Sequence, residues 1–83
     1  MSPATPVLTA ASLGRILQSA RKANKLSQAE LAARIGMSQA RMSALEREPG
    51  TISVDQLLAM CSSLGLQLSI ARKEAKATPK TDW

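Results

Sequence analysis

Residues 27–48 read SQAELAARIGMSQARMSALERE, and this stretch decides the fold. Ser27, with Glu30 three residues on, is the capping box of a helix start. Leu31, Ala32 and Ile35 follow at helical spacing as an inner stripe. Gly36 ends that helix, as a residue at ease in the left-handed conformation. Ser38 caps a further helix, QARMSALERE, whose inner stripe is Met42, Leu45 and Glu46, and Pro49 and Gly50 close it. Ala32 is small, so the two helices cross closely. Gly36 sets the angle between them, and Met42 and Leu45 pin the second to a core. Its opposite face, where Gln39, Ala40, Ser43 and Arg47 cluster, is left exposed.

Outward from this unit the pattern stays helical. Upstream, SLGRILQSARKANK places Leu13, Ile16, Leu17 and Ala20 on one face, with Thr9 or Ser12 as the cap. Residues 1–8, with two prolines and no period, read as a flexible arm. Downstream, Ser53 caps VDQLLAMCSSLG, with Val54, Leu57, Leu58, Cys61 and Leu64 on one face and Gly65 as the stop. Met37, Met42 and Met60 are core or rim fillers, and Cys61 is a packing residue. The period then changes. Leu66, Leu68 and Ile70 alternate with Gln67, Ser69 and Ala71, the pattern of a short half-buried strand. No other segment offers that strand a partner, so it is expected to pair with its own copy across a dimer axis. Residues 72–83, RKEAKATPKTDW, form a polar tail expected to be disordered. The domain proper is thus 9–71.

With 83 residues, no Phe, no Tyr and one Trp, the core must come from Leu, Ile, Met, Val and Ala, which suits closely packed short helices. So small a core gains from dimerisation. The net charge is +5, and residues 1–25 carry Arg15, Arg21, Lys22 and Lys25 with no acid. That excess favours a polyanionic partner, nucleic acid first. With no His and a single Cys, His-dependent catalysis, Cys–His nucleophiles, structural zinc and internal disulfides are excluded. Neither a catalytic constellation nor a cofactor or small-molecule site suggests itself, so no enzyme is expected. No apolar run is long enough to span a membrane, and a reduced, cytoplasmic location is the natural expectation.

The exposed face of the QARMSALERE helix has the chemistry of a major-groove reader. Gln39 can bond adenine through N6 and N7, Ser43 can meet several base edges, and Ala40 can touch a thymine methyl. Arg47, farther along, suits phosphate. Gln28, at a helix start, offers an amide and backbone N–H groups to phosphate, Ser27 and Ser38 stand at the two helix starts likewise, and Arg41 joins them off the reading face.

LSQAELAARIGMSQARMSALE resembles the helix-turn-helix of the Cro/cI/Xre repressors, matching at Gln28, Ala32, Gly36, Met42 and Leu45, with the flanking helices from about Leu13 to Leu64. The resemblance implies a lambda-repressor-like, all-α bundle of four to five helices plus the C-terminal strand, bound as a homodimer to a palindromic operator. It also gives Arg21 and Glu46 a role, as a buried ion pair. Each charge is expensive if buried alone, so the two should meet. Within that family the chain is most similar to HipB-type antitoxins, in Gln39-Ala40 with Ser43, in the strand LQLSIARK and in a polar tail ending in Trp83. Ser38 departs from them, standing where they carry lysine, so the mode of binding carries over and the bases recognised do not. This narrower resemblance implies a HipA-like serine/threonine kinase toxin as partner, with Trp83 as an anchor into it, and autoregulation of the operon. The competing readings are a stand-alone Xre-type regulator and an interaction adaptor that keeps the shape without the DNA function.

Overall fold

The computed structural model describes residues 5–73. Four helices succeed one another: α1 (Ala10–Ala23), α2 (Gln28–Arg34), α3 (Gln39–Arg47) and α4 (Val54–Leu64), with a 3-10 turn at Pro49–Thr51 between the last two. Each starts with a hydroxyl cap. Thr9, Ser27, Ser38 and Ser53 accept from the amides of Ser12, Glu30, Arg41 and Gln56, so each satisfies one orphan N–H. Thr9, not Ser12, caps α1, and Ser12 closes the box from the third position.

Three of the helices stop the same way. Lys25, Gly36 and Gly65 take φ of 60, 72 and 73°. The next amide in each case reaches five residues back: Leu26 to Arg21 O (3.1 Å), Met37 to Ala32 O (2.9 Å) and Leu66 to Cys61 O (2.8 Å). This is the Schellman arrangement. Glycine signals it at two positions, and Lys25 adopts it without that signal. α3 ends otherwise, one residue earlier than its pattern suggests, because Pro49 opens the 3-10 turn.

The core joins all four helices. Leu17, Leu31, Met42, Leu45 and Met60 are fully buried, with Leu26, Ala32, Cys61 and Leu64 beside them. Leu13, Ala20, Ile35, Met37, Ile52, Leu57 and Leu66 pack on its margin. α2 and α3 pack against each other; α1 packs on α3, on α4 and on the 3-10 turn. That last contact needs a glycine. A Cβ on Gly14 would lie 2.3 Å from Pro49 Cγ.

One expectation, for α4, needs correction. Val54 and Leu58 are not on the buried face; they are 67% and 47% exposed. The inner stripe is Leu57, Met60, Cys61 and Leu64, and Val54 and Leu58 sit on its shoulder, too far round the helix to reach the core. Valine therefore contributes nothing to the core, since Val7 is also exposed. Beyond Gly65 the described residues, to 73, contain no strand. Leu66 turns onto the core while Leu68 and Ile70 face outward. A ladder needs a second backbone, and no described segment of the same chain supplies one. No described helix is long and apolar enough to cross a membrane. Trp83 and most of the polar tail lie outside the described residues, as do residues 1–4 of the arm. Thr5 and Pro6 border an open recess on α1 with Arg15 and Ile16.

Candidate nucleic-acid interface

The interface is built from the core outward, beginning with an ion pair. Arg21, on the inner face of α1, donates from Nε to Glu46 Oε2 at 2.7 Å and from Nη2 to Glu46 Oε1 at 3.2 Å. The two side chains are 9% and 7% exposed. Its third donor, Nη1, meets the carbonyl of Leu26 at 2.8 Å. The guanidinium is thus shared between the reading helix and the turn that leads to α2, and the sequence expectation that Arg21 and Glu46 meet is correct. Burial pushes the Glu46 carboxyl up, but the hydrogen bonds from Arg21 and Gln28 and the Arg21 charge outweigh it, and the group sits below the usual carboxylate range.

A second contact leaves the ion pair toward the surface. Gln28 Nε2 donates to Glu46 Oε1 at 2.9 Å, and Gln28 Oε1 accepts from Gln39 Nε2 at 3.0 Å. Four residues from α1, α2 and α3 therefore form one chain of hydrogen bonds, from buried Arg21 to exposed Gln39. No buried side-chain polar atom among the described residues lacks a partner. Sequence reading gave Gln28 a phosphate-facing amide. The structure also engages that amide with Glu46 and Gln39, each through one bond, so one Gln28 N–H stays on offer to phosphate beside the α2 N-terminus. One signal for the link was present: Ser-Gln-Ala occurs twice, at 27–29 and 38–40, so both helices begin with the same capped glutamine.

The outer face of α3 is open. Gln39, Ala40, Arg41 and Arg47 are exposed and Ser43 is half-buried, while Met42 and Leu45 behind them are fully buried. The nine-residue helix is about 14 Å long, a rod that the major groove admits. Arg47 Nη1 donates to Ser43 Oγ at 2.8 Å, one helical turn back, a pairing that sequence reading missed. Ser27 and Ser38 each use a lone pair on the cap and keep the hydroxyl proton for an acceptor. The Ser27 amide and hydroxyl bind the Glu30 carboxylate and amide in turn, and the carboxyl is held below its usual range. Cys61 is buried in α4, which pushes its thiol up. Among the described residues no cluster of Cys, Asp or Glu could hold a metal ion.

A family model described as helix-turn-helix matches residues 17–70. Solved structures of similar fold include a HipA–HipB complex with O2 and O3, with 24% identity, TM-score 0.78, and coverage of 86% of this chain and 100% of the other. A serine-to-alanine HipB variant bound to an O2 20-mer matches at 25% identity and TM-score 0.78, covering 87% and 100%. A HipB complex with O1 and O2 matches at 25% and 0.75, covering 83% and 100%. None of the curated proteins matches the chain.

Proposed function

The chain belongs to the helix-turn-helix family, and we propose on that footing that it is a homodimeric repressor serving as the antitoxin of a HipA-like kinase. It is a DNA-binding regulator with the fold of HipB. The observation that carries the finer reading is the state of α3. Its inner side is locked by Met42, Leu45 and the Arg21–Glu46 pair, and its outer side presents exposed Gln39 and Ala40 with half-buried Ser43 beside Arg47. In this reading Gln39, Ala40 and Ser43 meet base edges, and Ser27, Gln28, Ser38, Arg41 and Arg47 meet phosphate. The dimer is supported by exposed apolar surface. Val54, Leu58, Leu68 and Ile70 all come from α4 and the segment after it, and single-chain burial leaves them in water. Leu66, Leu68 and Ile70 then pair with the same segment of a second copy. The kinase partner rests on the likeness to HipB in a HipA–HipB complex, and Trp83 is its proposed anchor.

The test is a footprint on the DNA upstream of the chain's own gene, with a pull-down from the native host. Protection should be two-fold symmetric, with half-sites about one turn, roughly 34 Å, apart. Affinity should fall steeply with salt. A kinase should co-purify, and more weakly after removal of Trp83, with operator affinity unchanged. A footprint lacking symmetry defeats the dimer. Shallow salt dependence with no protection would make the chain an adaptor, and DNA binding without a co-purifying kinase a stand-alone regulator.

A further inference from the structure

We infer that Glu46 is a specificity-determining residue: through Gln28 it fixes which end of the Gln39 amide faces the DNA, and so selects adenine over guanine. The inference rests on Gln39 as the base reader. The reasoning is one of donors and acceptors. An ionised carboxylate only accepts, and Glu46 is held ionised by two donors of Arg21. The end of Gln28 that meets Glu46 Oε1 must therefore be its NH2, at 2.9 Å. With its NH2 turned to Glu46, Gln28 presents its carbonyl oxygen to Gln39. The oxygen in turn requires the NH2 of Gln39, at 3.0 Å. Gln39 is left with a free carbonyl oxygen and one free N–H. One acceptor beside one donor matches the N6 and N7 edge of adenine. Had the relay run the other way, Gln39 would give its oxygen to Gln28 and offer two N–H groups outward. Two donors match the O6 and N7 acceptors of guanine. A glutamine alone has no preference between the two orientations; the buried charge supplies it.

Glu46→Gln tests this with little change in shape. Both carboxylate oxygens meet Arg21, but the Nε contact at 2.7 Å is the shorter and favours the new amide oxygen there, so the NH2 takes the Oε1 place facing Gln28, which turns its own oxygen inward, and the relay reverses. The probe is a duplex selected by the wild-type chain from a randomised library, with each half-site position then changed to all four bases. The wild type should favour adenine over guanine at one position by roughly 5- to 150-fold, the range for a good bidentate contact, and Gln39→Ala should abolish that preference. In Glu46→Gln the adenine-to-guanine ratio should fall to near one or invert, with preferences at other positions kept. Equal weakening of the adenine and guanine duplexes, with the ratio retained, would show a merely structural role and overturn the inference. Should Glu46→Gln melt below the assay temperature, Gln28→Met cuts the relay and leaves the ion pair intact. Loss of the ratio in that variant supports the relay, and an unchanged ratio overturns it. Preference surviving in Gln39→Ala is a different failure, because it removes Gln39 as the base reader.

Discussion

At Gly14 the usual rule for a helix interior reverses. Alanine normally stabilises such a position over glycine by about 0.5–1 kcal/mol. Here the added carbon would lie 2.3 Å from Pro49 Cγ, so Gly14→Ala should destabilise by about 1–3 kcal/mol, the range for overpacking, seen as a lower Tm. A Tm at or above that of the wild type would mean that the 3-10 turn yields. Arg21 and Glu46 carry the other residue-scale expectation. Arg21→Ala leaves Glu46 buried without its cation and should cost about 3–5 kcal/mol at neutral pH. The carboxyl sets the sign of the pH dependence. In the wild type its folded pKa is depressed, so its stabilisation is full above the ordinary carboxylate range and is lost as pH falls through the folded value. In the variant, burial pushes the same group the other way, so the penalty belongs to the ionised form. The gap between the two melting curves should be widest near neutrality and narrow on acidification. A gap that does not change with pH would exclude Glu46 as its source.

Among elements, α3 divides into parts with separable outcomes. Gln39→Ala should lose about 1–3 kcal/mol of binding and relax choice at one base pair. Arg47→Ala should weaken all sequences alike and reduce the salt slope by about one; titrations of matched and mismatched duplexes at several salt concentrations distinguish them. The helix starts were legible in the sequence because a cap is local: Ser27 and Glu30, or Ser38 and the Arg41 amide, are three residues apart. The stop at Lys25 was not legible, since no glycine marks it and the turn is completed by Leu26 bonding back to Arg21, whose side chain returns to Leu26 O. The inward contacts of Gln28 were not legible for a related reason. Its partners are 18 and 11 residues away in the chain, and only the crossing of α2 and α3 brings them together. Local chemistry places an element; which polar atoms it spends inward depends on the packing of its neighbours.

On the scale of the whole molecule, the outward apolar side chains decide what one chain lacks. Ile70 is 95% exposed and Leu68 42%, in the segment for which the sequence expects a second copy as partner. The exposure of Val54 and Leu58 was hidden, because their angular position beside the inner stripe is marginal and neighbouring helices settle it. If these side chains form the proposed seam, Ile70→Asp should shift sedimentation from dimer to monomer. It should also lower operator affinity about 100-fold or more, since each half-site is then bound alone. A variant that sediments as the wild type does would place the seam elsewhere. Cys61 adds a practical consequence. It is the only thiol in the chain, it is 6% exposed, and burial raises its pKa, so an alkylating reagent meets a reactive thiolate only when α4 lifts from α1 and α2. The pace of labelling under native conditions then counts those openings, and the chain carries its own stopwatch for how often its core comes apart.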